Sequence, residues 1–184
     1  MKVRFLFTML LSVITVVADA QGVPPAPEGK SVVYFVRTSS LGFANSFAYF
    51  DSTKFIGKFG APKYLRYECN PGHHFFWAKS ENVDFVDATV EEGKIYFIYV
   101  DADAGVEKPI VKLEPVDPKN LDVMARIFKL MNKKSPVVID PEDLASDAKE
   151  FKPEIKKALS QHAADHATDG STAVLTNDMF YPFK

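Results

Sequence analysis

Side chains able to transfer protons, ligate a metal or attack an electrophile are few in this 184-residue chain, which holds four histidines and a single cysteine. His73 and His74 are adjacent, and on a strand their side chains point to opposite faces, so they cannot chelate one metal together. His162 and His166 stand four apart, which places two imidazoles on one helical face with Asp165 and Asp169 close by. The run His162-Ala163-Ala164-Asp165-His166 lacks the glutamate that a zincin uses as general base, and two ligands fall short of the three or four that zinc takes. Asp101-Ala102-Asp103-Ala104-Gly105-Val106-Glu107 alternates carboxylates like part of a calcium loop. It lacks the third acid and the distant bidentate glutamate, and its glycine comes one position early. Cys69 precedes a turn, with His73 on the strand just after it, but no third group orients the two and there is no G-x-S-x-G. Glycine-rich phosphate loops are absent. These patterns yield no expected catalytic residue, cofactor-binding residue, metal ligand or cofactor, and the same side chains read as caps, solvated groups or core.

The first twenty residues have the layout of a secretory signal. Lys2 and Arg4 form a basic start, Phe5 to Val17 an apolar run too short to span a bilayer, and Ala18-Asp19-Ala20 a small-x-small cleavage site. Cleavage is expected after Ala20, giving an exported chain that is periplasmic or secreted. Removing this segment changes the net charge from −2 to −3, because two basic residues and one acid leave with it. With no basic run to track phosphates, nucleic acid is not an expected partner. The lone Cys69 cannot form an intramolecular disulfide, and it reads as buried, since unpaired cysteine is among the most buried residue types.

The elements that would position these groups follow from periodicity. Residues 21–30, with Pro24, Pro25 and Pro27, read as an extended leader. Ser31 to Arg37 is apolar on both faces until its last residue, and so is the stretch Ile95 to Val100, where Ile95, Phe97 and Tyr99 alternate with Tyr96, Ile98 and Val100. Strands without a polar face are central and covered on both sides, so these two are expected to be neighbours. Further strands are expected at Phe47 to Asp51, Lys54 to Phe59, Lys63 to Glu68, His73 to Ala78, Asp84 to Val90 and Ile110 to Glu114, with Asp101 to Pro109 a loop. Seven to eight short strands between turn signals predict a mainly β chain, an antiparallel β-sandwich over residues 31–115. A helical extension and tail, residues 116–184, follows. Asp117-Pro118 signals a helix over 118–131 with Leu121, Met124, Ile127, Phe128 and Met131 on one face. Asp140-Pro141 signals a second, whose stripe Leu144, Ala148, Phe151, Ile155, Leu159 is interrupted at Pro153. Residues 163–177 show little pattern, and the aromatic ending from Met179 to Phe183 is expected to dock. One face of the Ile95 strand should meet helix residues such as Leu121, Ile127 or Phe128.

Three segments in order, Gly29-Lys30-Ser31-Val32-Val33-Tyr34-Phe35-Val36-Arg37, Asn70-Pro71-Gly72-His73-His74 and Glu92-Gly93-Lys94-Ile95-Tyr96-Phe97, carry a family resemblance. Over about residues 29–114 the chain resembles the bacterial exported family catalogued as domain of unknown function 2846. In that family a GK-x-VYFxR strand, a proline-glycine turn before a histidine-bearing strand and a GK-x-YY/F strand recur, Phe97 standing here for the second tyrosine. The resemblance implies a β-sandwich and export, and no reaction. The expected function is accordingly a non-enzymatic module that binds or scaffolds at the bacterial cell envelope. Its partner would be an envelope protein, a peptide or a glycan, with peripheral membrane contact through helix 118–131 as a further expectation. Tyr49, Phe50, Phe75, Phe76, Trp77, Tyr96 and Tyr99 are expected to be core rather than a binding platform. The rival reading is an exported metal-dependent or hydrolytic enzyme that uses the histidines.

Overall fold

A computed structural model describes residues 23–40, 44–166 and 172–182. The segment read as a secretory signal lies outside the described residues. Nine strands and three helices are described, in the order β1 (Ser31–Arg37), β2 (Phe47–Asp51), β3 (Lys54–Phe59), β4 (Lys63–Cys69), β5 (Gly72–Lys79), β6 (Val83–Val90), β7 (Ile95–Asp103), β8 (Ile110–Pro115), α1 (Leu121–Met131), α2 (Pro141–Glu150), α3 (Lys152–His166) and β9 (Ala173–Leu175). The strands form two sheets, ordered β4-β1-β7-β8 and β3-β2-β5-β6-β9. The chain is therefore mainly β, as its periodicity predicts.

The two strands without a polar face lie side by side in the middle of the first sheet, and every residue of β1 is buried. Their inward side chains, Val33 and Phe35 from β1 and Tyr96, Ile98 and Val100 from β7, meet Tyr49, Phe76 and Val86 of the second sheet in the inter-sheet core. Their outward side chains, Val32, Tyr34, Ile95, Phe97 and Tyr99, are covered by Met124 and Ile127 of α1 and by Phe128, Val23 and Tyr181. The outer face of the second sheet, with Phe50, Phe55 and Trp77, is covered by Phe151 and by Leu144, Ile155 and Ala158 of α2 and α3. Helices thus cap both outer faces. The aromatic side chains at positions 49, 50, 76, 77 and 96 are all core, with Phe50 stacked on Trp77 at 3.7 Å between ring centroids.

The sheets are not purely antiparallel. β1 pairs with β7 in parallel, Val32 opposite Ile95, and β6 pairs with β9 in parallel, Val86 opposite Ala173. Hairpin partners close in sequence must run antiparallel, but β1 and β7 are joined through five intervening strands that cross to the other sheet and back. Nothing in either strand's own residues sets the direction of such a non-local pair. Strand β7 also runs three residues beyond Val100, so Asp101 and Asp103 belong to it and not to the loop expected there. Strand β9 lies where no regular element was expected, and it places part of the extension inside the second sheet.

Helix α1 begins later than the Asp117-Pro118 signal suggests. Asp117 closes a turn, accepting from the Lys119 N–H at 2.9 Å, and Asn120 is the cap, its side chain accepting from Val123 N–H. Asp140 caps α2 as its sequence predicts, Phe151 ends that helix, and Pro153 falls in the first turn of α3, where its missing N–H is harmless. The chain closes its own edges. Asn82, just before β6, exchanges side-chain hydrogen bonds with the N–H and C=O of Val111 at 2.7 and 2.9 Å, and Asp84 of β6 accepts from Leu113 N–H at 2.6 Å. Sheet-two side chains thus stand where another strand would pair with β8. Val116 N–H and Tyr181 N–H donate to the carbonyls of Phe97 and Ile95 at 3.0 and 2.7 Å, so the aromatic ending docks as expected. Among the described residues no helix is long and apolar enough to cross a membrane.

Ile127 is wholly buried whereas Leu121, at the start of the same helix, is 75% exposed. Replacement of Ile127 by Ala should cost about 3 kcal/mol of unfolding free energy, through lost burial and the cavity left behind. Leu121→Ala should change it by less than about 0.5 kcal/mol. Urea denaturation of the two variants separates these outcomes.

Candidate functional site

The histidines are drawn apart. His73 is exposed on the outer face of the second sheet, its Nε2 2.7 Å from Asp87 Oδ1. His74 points the opposite way, to the end of the inter-sheet space, with its ring parallel to Phe76 at 5.3 Å. Its Nδ1 lies 2.8 Å from Asp51 Oδ2 and its Nε2 2.8 Å from the Asn70 carbonyl. A carboxylate and a carbonyl can only accept, so both ring nitrogens donate and His74 is an imidazolium. Asp51 also accepts from the Tyr67 hydroxyl at 3.0 Å, which ties β2 and β5 of one sheet to β4 of the other. The Asp51 carboxylate, with the Cys69 sulfur and the Asn70 carbonyl behind it, pushes the His74 pKa up to about 10. Burial, with the Asp51 charge adding to it, pushes Tyr67 up as well.

This arrangement is a clasp rather than a base. An imidazolium with both nitrogens engaged has no lone pair to take a proton from a thiol or to bind a metal. Cys69 is buried, its Sγ directed at the Ser31 carbonyl at 3.9 Å, and the histidine that it acts on is His74, on the face away from His73. His162 lies between Phe75 and Phe85, at 4.5 and 4.4 Å between centroids, and its Nε2 is 2.9 Å from Thr172 Oγ1. The side chains of Asp165, His166 and Asp169 lie outside the described residues.

The stretch after Val100 supplies backbone donors to a carboxylate that lies outside it. Asp101 and Asp103 lie opposite Lys112 and Ile110 in the β7–β8 ladder. Beyond them the chain turns around the Glu81 carboxylate, which accepts from the N–H groups of Lys108, Glu107 and Val106 at 2.8, 3.0 and 3.2 Å. Those bonds, Lys108's foremost, hold the Glu81 carboxyl below its ordinary pKa. Gly105 fits because a Cβ there would strike the Lys108 carbonyl. Among the described residues no group of three or more His, Cys, Asp or Glu could hold a metal ion. Arg37, signalled in the sequence only by the end of an apolar run, is buried completely, its guanidinium 3.7 Å above the Phe47 ring and donating to the Asn45 carbonyl at 2.8 Å.

Sequence periodicity gives no sign of a cleft of about 430 Å³ on the outer face of the first sheet where α1 ends. Val23 and Pro24 of the leader form one wall, Phe128, Met131 and the turn from Asn132 to Pro136 another, and Tyr34, Tyr64 and Arg66 of β1 and β4 the floor. Arg66 spends one guanidinium nitrogen on Glu68 and donates with another to the Pro25 carbonyl at 3.1 Å. Its Nε and the hydroxyl of Tyr34, a residue only 1% exposed, are buried without a well-formed hydrogen bond, the guanidinium and the phenol interacting with each other. A buried donor left unpaired costs about 1–3 kcal/mol. Burial pushes the Tyr34 hydroxyl pKa up, the neighbouring Arg66 charge acting against it. A second cleft of about 280 Å³ lies between β6 and α3, and there Lys79 and Glu154 pair with each other at 3.0 Å.

An unfolded histidine titrates near 6.5. With the folded value raised to about 10, the His74 contribution is fully present below about pH 6.5 and is lost as pH rises from there through about 10. In chemical denaturation the wild-type chain should lose stability over that interval relative to His74→Gln, and at pH 6 the variant should be the less stable by about 2 kcal/mol.

Comparison with known proteins found no family model that matches this chain, and no matching curated protein or solved structure.

Proposed function

We propose that this chain is an exported, non-enzymatic β-sandwich module that binds or scaffolds at the bacterial cell envelope, with the cleft beside the end of α1 as its binding site. The observation that carries this reading is the pairing state of its polar groups. At His74 both ring nitrogens are matched to acceptors, whereas on the cleft floor Tyr34 and Arg66 each keep a buried donor atom without a well-formed hydrogen bond. Binding sites combine apolar walls with a few convergent polar groups, and this cleft has that composition and a volume within the usual range of about 300–1,000 Å³. The secretory pattern of the first twenty residues and the resemblance over residues 29–114 support export. An envelope enzyme using the histidines has less support, because His74 offers no lone pair. A partner for the apolar face of α1 has less too, because Met124 and Ile127 are already buried on the first sheet.

Two measurements test the reading. Cells making the full chain should yield a processed form beginning at Gln21 in the periplasmic or extracellular fraction, and an unprocessed cytoplasmic chain would sink the export claim. Titration of the ¹⁵N-labelled processed chain with solubilised envelope extract should move the amide signals of Tyr34, Tyr64, Arg66 and Lys133 in particular. Movement confined to the surroundings of His73 or His162 would instead favour the enzyme.

A further inference from the structure

We propose that the cleft at the end of α1 takes a small amphipathic anion, a molecule with one anionic head group and a short apolar tail. The proposal rests on the cleft being the binding site, and it adds the class of ligand. The lining includes Arg66, Lys133 and Lys134 and no acidic residue, in a chain whose net charge is −2. Lys133 and Lys134 follow the C-terminus of α1, where cations offset the partial negative charge of a helix end, so the lysines alone would not identify a ligand.

The floor adds what the helix end does not explain. Tyr34 Oη and Arg66 Nε are buried donors that lie against each other without a well-formed hydrogen bond, and no carbonyl or carboxylate pairs with Nε. Arginine nitrogens never accept, so an incoming group that satisfies Nε must bring an acceptor oxygen, and an anionic one is bonded more strongly than a neutral one. The walls around these donors present apolar side chains, Phe128 and Met131 on one side and Val23 and Pro24 on the other, beside the polar turn from Asn132 to Ser135. A bare inorganic anion would leave those walls wet, and a neutral apolar molecule would leave the donors unpaired. Only a molecule with both parts meets both demands. Two walls and a floor bound a volume suited to a small molecule and not to a folded partner.

The processed chain is titrated, by calorimetry and by ¹⁵N-detected NMR, with sodium decanoate, 1-decanol and inorganic phosphate as separate probes. Decanoate should bind with shifts centred on Tyr34, Arg66 and Lys133, and decanol and phosphate should each bind at least about tenfold more weakly. Tyr34→Phe, which keeps the ring in place, should weaken decanoate by about fivefold, and Arg66→Gln by about tenfold. Equal affinity for decanol and decanoate, or phosphate binding as tightly as decanoate, would overturn the ligand class. If envelope extract moves the cleft signals while decanoate does not, the ligand class fails and the binding-site reading stands. If neither moves them, both fail. Sedimentation with phosphatidylglycerol vesicles, without any response to dissolved decanoate, would assign this face to a membrane surface and also overturn the proposal.

Discussion

Two neighbouring strands without a polar face govern the architecture. In β1 and β7 nearly every side chain is apolar, so the first sheet must be dry on both sides, and burial of each large side chain is worth about 1.5–3 kcal/mol only if something covers it. The second sheet supplies one cover. The other comes from outside the sandwich: α1, the leader at Val23 and Ala26, and Tyr181 of the ending. Segments that follow the sandwich in sequence are thus needed to finish its core. The same holds on the far side, where α2 and α3 cover Phe50 and Trp77 and β9 adds to the sheet edge.

The covering segments also create the cleft. Helix α1 ends at Met131 over β1 and β4, the following turn runs to β4, where Val137 N–H donates to the Tyr64 carbonyl at 2.8 Å, and the leader crosses Arg66 from the other side. A space remains between them whose floor is two strands of the sheet. Elsewhere the polar groups have been used to hold the fold: Asp51 with His74 and Tyr67 across the two sheets, Glu81 inside its loop, Asn82 and Asp84 against β8. This division explains why the side chains with the richest chemical repertoire are poor candidates for function here, and why a tyrosine and an arginine from the sheet surface are better ones. Histidine is a good clasp because it can donate twice when charged, and the same property removes it from acid–base chemistry.

The sequence by itself determined the local elements. Period-two alternation located the strands from Ser31 to Ile110, the Asp140-Pro141 signal located the start of α2, and the all-apolar stretches identified the two central strands and their need for cover, because each of these depends on neighbours a few residues away. It also determined that His73 and His74 must part, since adjacent strand residues face opposite sides. It placed the start of α1 too early, because Asp117 and Asn120 are both competent caps and the fold uses the later one.

Tertiary structure alone decided what depends on contacts distant in sequence. The parallel β1–β7 and β6–β9 pairings, the burial of Arg37 over Phe47, the charge state of His74 and the cleft all involve partners brought together by the sheet topology. A residue type states what a side chain can donate or accept. Whether it is paired is a property of the surroundings: His74 gains two acceptors from Asp51 and Asn70, while Tyr34 is buried against Arg66 without a well-formed hydrogen bond.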